Sequence, residues 1–257
     1  MELKSLVGDA CPSFEQVAFA IERDLDHRAD VTTSLSALDA WAAGIPRPGT
    51  FADVTRLLYD VVGLRCATDY DDPAWSYLST VVARRQGLPV LLATIAIAVA
   101  DRAGIALEPI AFPGHFLLRD RETRIYIDPA SGRYPLAEDE LLRVATRVHK
   151  DRRVAAARLE PVDARGYAVR VLQNLTRALG KRGDHARAFV VYDRLVELTG
   201  SPEHRCDRAA HALALGSVEA AIDDLQAYLH ACPDGQERER VERLLVEARG
   251  RRRRPLN

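Results

Sequence analysis

Residues 87–105 of the chain read GLPVLLATIAIAVADRAGI, and this segment predicts a helix that is buried on nearly every side. Pro89 suits the first helical position, because its missing N–H would have no partner there and its fixed φ fits a helix. The apolar run from Pro89 to Ala100 is about 12 residues long, short of the roughly 18 that indicate a membrane-spanning helix. We therefore expect the central helix of a globular core, from Pro89 to Ala103.

Two alternating segments after this helix predict a β-hairpin, from Phe112 to Asp120 and from Thr123 to Asp128. A loop centred on Arg121-Glu122 makes His115 and Asp128 direct cross-strand partners, with Cβ atoms about 4.5–5.5 Å apart. At that distance a carboxylate fixes the tautomer of an imidazole and strengthens it as a base. The alternative is that Asp128 only caps the turn at 129–132 and that His115 is an ordinary buried histidine.

Three segments resemble, in this order, the Cys, His and Asp segments of a transglutaminase-like or papain-like active site. They are Gly87-Leu88-Pro89, Pro113-Gly114-His115-Phe116 and Ile127-Asp128-Pro129. In that pattern a Gly-x-Cys begins the helix about fifteen residues before a Gly-Ile pair, and a thiolate there is stabilised by the helix dipole. Counting back from Gly104-Ile105 reaches Pro89, so the resemblance implies that the nucleophile position holds a proline.

The resemblance is most specific to the SirB-type branch of transglutaminase-like proteins, and it extends from about Leu38 to Pro233. Members of that branch commonly have Gly-Ile-Pro at the helix start. This chain departs from the branch at Trp75, where an Asn is usual, and at Ala130, where a Phe is common. The resemblance implies an α+β core of transglutaminase-like or papain-like fold, followed by an all-α tetratricopeptide-like region. It is carried by residues 70–78, 84–89, 113–117, 127–129, 174–175, 206–208 and 223–229.

Periodicity and composition predict how the chain is divided. Helical patterns cover 13–25, 34–43, 50–62, 74–86, 89–103 and 137–146, and a strand near 107–112 precedes the hairpin. We expect a transglutaminase-like α+β domain with N-terminal helices at 1–150, a linker within 148–165, a helical domain at 163–249 and a basic tail at 250–257. Without interleaved aromatic residues, that tail is predicted to be a solvated, mobile segment rather than a nucleic-acid site.

The second domain shows an internal repeat. Gly183, Ala188, Tyr192 and Leu195 recur thirty-three residues later as Gly216, Ala221, Leu225 and Tyr228, close to the tetratricopeptide period. Stacked helix pairs need small residues at turns and crossings and larger residues on the inner face. Two repeats are fewer than the roughly three that a free-standing array requires. We therefore expect this region to pack against the first domain and to support it or to complete a groove for a partner protein.

Charge and cysteine content exclude several classes of protein. Lys and Arg number 36 against 37 Asp and Glu, which argues against a nucleic-acid or membrane partner. Cys11, Cys66, Cys206 and Cys232 are scattered without a Cys-x-x-Cys pair, which argues against a zinc site and a disulfide scaffold. We predict a cytoplasmic protein with free thiols, no metal and no cofactor.

Several residues are candidates for a site around His115 and Asp128. Cys66 and Ser76 are possible replacement nucleophiles, although a thiol or hydroxyl without a convergent base is usually structural. Trp75, Arg84, Arg85 and Tyr126 are predicted to line the cleft. The two arginines equally suit the end of the preceding helix, where a cation interacts favourably with the helix dipole.

Two functional classes remain. In the first, the cleft lacks its cysteine nucleophile and the chain is a binding or regulatory module, with the helical repeat region binding a protein or peptide. In the second, His115 and Asp128 form a general-base pair that activates water, or a hydroxyl or amine of the substrate. That enzyme would hydrolyse amides or transfer acyl groups of a small substrate without a thioester. Loss of the nucleophile favours the first class, and retention of the His–Asp pair favours the second.

Overall fold

The computed structural model describes residues 3–8, 12–112, 114–150, 152–157, 159–232 and 237–252. It divides into two compact units, one that runs to Val171 and one that begins at Leu172. Cys11 and Pro113 lie outside the described residues, and so does the segment 253–257 of the predicted basic tail.

The first unit contains helices followed by a small antiparallel sheet, as predicted for an α+β core. Its helices are α1 (Leu3–Gly8), α2 (Phe14–Leu25), α3 (Val31–Ala43), α4 (Phe51–Arg56), α5 (Leu78–Arg84), α6 (Pro89–Arg102), α7 (Glu138–His149) and α8 (Arg152–Ala157). Its strands are β1 (Arg65–Cys66), β2 (Gln86–Gly87), β3 (Leu107–Ile110), β4 (Leu117–Asp120), β5 (Tyr126–Asp128) and β6 (Arg133–Leu136). A π-helical turn, Leu57–Val61, continues α4, and a 3₁₀ turn, Pro73–Ser76, precedes α5.

α6 is the central helix of this unit, and its predicted burial is confirmed. Every residue from Val90 to Ala100 is buried. Helices α2, α3, α4 and α5 and strands β3 and β4 all pack against it. Pro89 occupies the first turn, where its lack of an N–H leaves no hydrogen bond unmade. The start of α6 is therefore held in place by packing on all sides.

The predicted helix at 74–86 is interrupted at Tyr77, whose extended backbone separates the 3₁₀ turn from α5. Tyr77 gives α5 no side-chain cap. The backbone N–H of Ser79 instead donates to Glu22 Oε2 at 2.9 Å, so that a carboxylate from α2 caps this helix. Burial raises the pKa of Glu22, and the hydrogen bonds from Ser79 oppose that rise.

The antiparallel sheet has the strand order β3-β4-β5-β6. Leu118 pairs with Ile127, and Arg119 pairs with Tyr126. Asp120 ends β4 and accepts the backbone N–H of Glu122 at 2.9 Å. The N–H of Asp120 also donates to the carbonyl of Ile125 at 2.9 Å, so the loop between these two residues spans 121–124 and is centred one residue later than the sequence predicts.

This register corrects the predicted hairpin pairing. The register shift amounts to two residues, so it does not change which residues of each strand share a face. The direct cross-strand pairing of His115 with Asp128 is wrong, since His115 lies before β4 begins at Leu117. Arg124, with a φ of 60°, adopts the left-handed conformation that closes the longer loop. The conformations of Asp120 and Arg124 therefore set a loop length that the alternation pattern did not predict.

The second unit consists of helices from α9 onward. They are α9 (Ala164–Arg182), within which the division between the units falls, α10 (His185–Thr199), α11 (Pro202–Ala214), α12 (Val218–Ala231) and α13 (Arg238–Arg252). Two of the repeated pairs are equivalent in structure: Ala188 and Ala221 are fully buried, and Gly183 and Gly216 both have positive φ. Arg208 on α11 makes two hydrogen bonds of 2.7 Å to the buried Asp224 on α12. α13 continues three residues beyond the predicted domain end at Arg249.

Gly87 is required by a close approach. A Cβ on Gly87 would lie 2.5 Å from a methyl group of Val81, a β-branched side chain with little freedom to move. We predict that Gly87→Ala destabilises the protein by about 1–3 kcal/mol, as overpacking does. In the matched control, Gly180→Ala in α9, the new Cβ meets no atom within 4 Å, so we expect a stabilisation of about 0.5–1 kcal/mol. Chemical denaturation of both variants measures these changes, and a neutral Gly87→Ala would contradict the close contact.

Candidate functional site

His115 and Asp128 are neighbours despite the shifted register. His115 Nδ1 lies 3.4 Å from Asp128 Oδ2, and the histidine side chain is 52% exposed while that of Asp128 is 13% exposed. The N–H of His115 donates to the carbonyl of Phe112 at 3.0 Å, and Gly114 between them has a φ of 76°. A tight turn before β4 therefore brings the imidazole to the carboxylate, rather than a cross-strand pair. The exposed imidazole is accessible to a ligand.

Asp128 combines the two roles that the sequence left as alternatives. Its Oδ1 accepts the N–H of Ala130 at 2.9 Å, and its Oδ2 accepts the hydroxyl of Ser131 at 3.1 Å. The same Oδ2 faces His115. The carboxylate is thus held by the turn that follows it, and this fixes its position relative to the imidazole.

The segment around Trp75 is tied to the start of α6. The N–H of Leu88, the residue before Pro89, donates to the carbonyl of Trp75 at 3.2 Å. The guanidinium of Arg84 lies over the Trp75 ring, 5.4 Å from its centroid. This contact combines a cation with an aromatic face. Both residues are therefore near the helix start that carries Pro89.

Two other predicted cleft residues have structural roles. Arg85 ends α5 in a left-handed conformation, and its guanidinium donates to the carbonyl of Val62 at 3.3 Å. The structure corrects the prediction that Tyr126 lines the cleft. This residue is fully buried in the core, and its hydroxyl donates to Glu138 Oε2 at 2.9 Å. A tyrosine without solvent exposure cannot contact a ligand that enters from solvent. Its position on the inner face of β5 explains the difference.

Ser76 does not have the geometry of an activated nucleophile. It is 2% exposed, and its hydroxyl has no hydrogen-bond partner among the residues that the structure describes. A serine nucleophile needs an adjacent base within hydrogen-bond reach. The described residues provide none, so Ser76 is not positioned as an activated nucleophile.

Cys66 lies closer to the start of α6 than the sequence indicates. β1 and β2 pair in parallel, with Cys66 opposite Gly87, which precedes Pro89 by two positions. The Cys66 thiol lies 3.3 Å from the hydroxyl of Tyr70. A cleft of about 260 Å³ is lined by Cys66 and by the turn after Asp128, at Ala130, Ser131 and Gly132. The thiol and the Asp128 turn therefore share one cleft.

Two tyrosines that the sequence did not single out belong to this region. Tyr59 lines the cleft and donates its hydroxyl to the carbonyl of Pro129 at 3.2 Å. Burial raises the pKa of Tyr59, and the charge of Asp128 adds to this rise. Burial together with Cys66 raises the pKa of Tyr70 to about 12, against the lowering effect of Arg170. Both phenols are therefore neutral at pH 7. The contact of Tyr59 with Pro129 joins residues 70 positions apart, so no local sequence pattern predicts it.

Among the described residues, no group of three or more His, Cys, Asp and Glu side chains is arranged to hold a metal ion. None of the described helices has the length and apolarity that crossing a membrane requires.

The chain matches two known families in sequence. Residues 15–173 match the transglutaminase-like superfamily, and residues 175–246 match the tetratricopeptide repeat. A UPF0162 protein of Xylella fastidiosa strain Temecula1 is 37% identical over 209 residues, which cover 78% of this chain and 74% of that protein. A UPF0162 protein of Pseudomonas aeruginosa is 31% identical over 180 residues, which cover 68% of this chain and 65% of that protein.

A shorter similarity reaches a eukaryotic protein. F-box only protein 21 of the mouse is 36% identical over 67 residues, which are 26% of this chain and 11% of that protein. No solved structure matches the chain.

Pro89→Cys tests whether position 89 faces His115. Pro202, also half-buried in the first turn of a helix, provides a matched control. We predict that the thiol introduced by Pro89→Cys reacts with iodoacetamide several-fold faster than Cys66, because the helix dipole and a nearby imidazole both favour the thiolate. Adding His115→Gln should slow alkylation at position 89 and leave the rate of Pro202→Cys unchanged. Mass spectrometry gives the rates, and equal rates at position 89 and Cys66 would mean that the lost nucleophile lies elsewhere.

Proposed function

We propose that this chain, which belongs to the transglutaminase-like superfamily and to its UPF0162 (SirB-type) branch, is a binding or regulatory module for a protein or peptide. The observation that carries the proposal is Pro89 in the first turn of α6, where the wider transglutaminase-like pattern implies a thiol and the SirB-type branch commonly has a proline. A proline has no nucleophilic group. The tetratricopeptide repeats of the second unit favour a partner of protein nature.

The net charge of the chain limits the class of partner, and its free cysteines indicate its cellular location. With 36 basic and 37 acidic residues, the chain offers no net electrostatic attraction to nucleic acid or to an anionic membrane. Cys66, Cys206 and Cys232 are free. Free thiols are typical of proteins in a reducing compartment, so we propose a cytoplasmic location.

Exposed apolar side chains of the second unit are the proposed contacts for the partner. Val246 on α13 is 70% exposed, and Leu215 at the end of α11 is 46% exposed. Single exposed apolar residues are common, and a functional role therefore has to be tested against an equally exposed residue elsewhere. Val61 in the first unit is 71% exposed and provides that match.

Val246→Glu should weaken partner binding at least tenfold, because a carboxylate would be desolvated in an apolar contact. Val61→Glu should leave binding unchanged, and so should His115→Gln. The measurement is quantitative affinity enrichment from the source cells, followed by titration of the purified partner against each variant. Equal loss in Val246→Glu and Val61→Glu, or no partner retained by the wild-type chain, would contradict a role for this surface.

The second candidate is an amide hydrolase or acyltransferase, and the approach of His115 to Asp128 favours it. In this reaction His115 removes a proton from water, or from a hydroxyl or amine of the substrate, as that oxygen or nitrogen adds to the amide carbon. The C–N bond then breaks, and His115 returns the proton to the leaving amine. A Cys66 thiolate is the alternative nucleophile, and water or an acceptor amine would then cleave its thioester and restore the thiol.

A screen of small amides and acyl donors decides whether this candidate holds. For any substrate that is turned over, we expect His115→Gln to reduce kcat at least a hundredfold, since general-base catalysis contributes about that much. Cys66→Ala should abolish turnover if the thiol is the nucleophile, while Cys232→Ala, a half-buried cysteine of the second unit, should retain it. Undiminished turnover in His115→Gln would end the enzyme hypothesis built on this dyad.

A further inference from the structure

Two histidines of the second unit bring ring nitrogens into direct contact. His185 Nδ1 and His211 Nδ1 lie 3.0 Å apart, and the ring centroids are 5.2 Å apart. His185 is the first residue of α10, and His211 lies in the last turn of α11. The two helices that carry them pack against each other. The contact thus joins two rigid elements rather than two loops.

The rings are also oriented by their neighbours. Tyr192 stacks on His211, with ring centroids 5.4 Å apart and an interplanar angle of 25°. His185 follows Asp184, whose side chain accepts the N–H of Arg187 at 3.1 Å and so fixes the start of α10. Neither imidazole therefore needs a large rearrangement to present its Nδ1.

The hydrogen bond between the two rings is weak by itself. A neutral imidazole keeps a lone pair on one ring nitrogen. A hydrogen bond between two neutral, partly exposed rings contributes only about 0.5–1.5 kcal/mol, and water can replace it. That bond is a weak reason for two histidines to converge.

We propose that His185 and His211 bind a divalent transition-metal ion of the zinc, nickel or copper class through their Nδ1 atoms. Two imidazole ligands about 2.0–2.1 Å from one ion and in adjacent coordination positions are about 2.9–3.4 Å apart, which includes the observed distance. Imidazole favours these ions over magnesium or calcium, which take oxygen ligands. Since no third protein ligand is arranged there among the described residues, water completes the coordination. The site is open, so a partner's side chain can also enter the coordination sphere.

His204 provides the matched control. It lies on the same helix, seven positions before His211, and near the same Tyr192, with ring centroids 6.4 Å apart. Its Nδ1 is engaged with the hydroxyl of Thr199 at 2.9 Å. It therefore shares the surroundings of His211 without facing His185.

Calorimetric titration of the chelator-treated full chain with ZnCl₂ at pH 7.5 tests the proposal. We expect one zinc-binding event that weakens at least tenfold in His185→Gln and in His211→Gln and is retained in His204→Gln. His185→Gln is an exposed substitution and keeps the test valid if His211→Gln loses structure, which circular dichroism monitors. Zinc binding that is equally tight in His185→Gln, or that is lost equally in His204→Gln, would overturn the assignment, as would a wild-type chain that binds no zinc.

Discussion

The burial of α6 is the constraint on which the first unit depends. A helix with apolar residues on all sides is stable only if other elements surround it, and each buried side chain of leucine size contributes about 1.5–3 kcal/mol. Helices α2 to α5 and the strands β3 and β4 provide that enclosure. Because packing fixes the helix on every side, it also fixes the position of its first turn. The candidate site is built around that turn.

Two sets of short contacts build the candidate site, one at the start of α6 and one at the turn after β5. β2 leads directly into the helix and pairs with β1, and this pairing brings Cys66 opposite Gly87. The carbonyl of Trp75 holds the backbone of Leu88. Asp128 is fixed by its own turn and faces His115. The structure thus pairs a base with a carboxylate and places a thiol in the cleft beside the turn after Asp128, whereas the start of α6 carries a proline.

The second unit depends on a different interaction. The guanidinium of Arg208 bonds to the buried Asp224 with two hydrogen bonds and also contacts Asp193. This network links α10, α11 and α12 in a region where small residues such as Ala188 and Ala221 allow the helices to approach closely. The same packing of α10 on α11 places His185 against His211. The ion-paired residues and the two histidines therefore lie on the same packed helices.

Local features of this chain followed from the sequence, because their causes lie within a few residues. Proline chemistry predicted the start of α6, apolar content predicted its burial, and the alternating segments predicted a hairpin. Features that depend on contacts between distant segments did not follow. The hairpin register depends on the side chain of Asp120 and the left-handed Arg124, and the burial of Tyr126 depends on Glu138 and the helix that carries it. The pairing of Cys66 with Gly87 joins two-residue strands twenty-one positions apart, too short to show a pattern. Tertiary packing alone decided which thiol, phenol and imidazole groups meet, since side-chain proximity across elements has no periodicity in the chain.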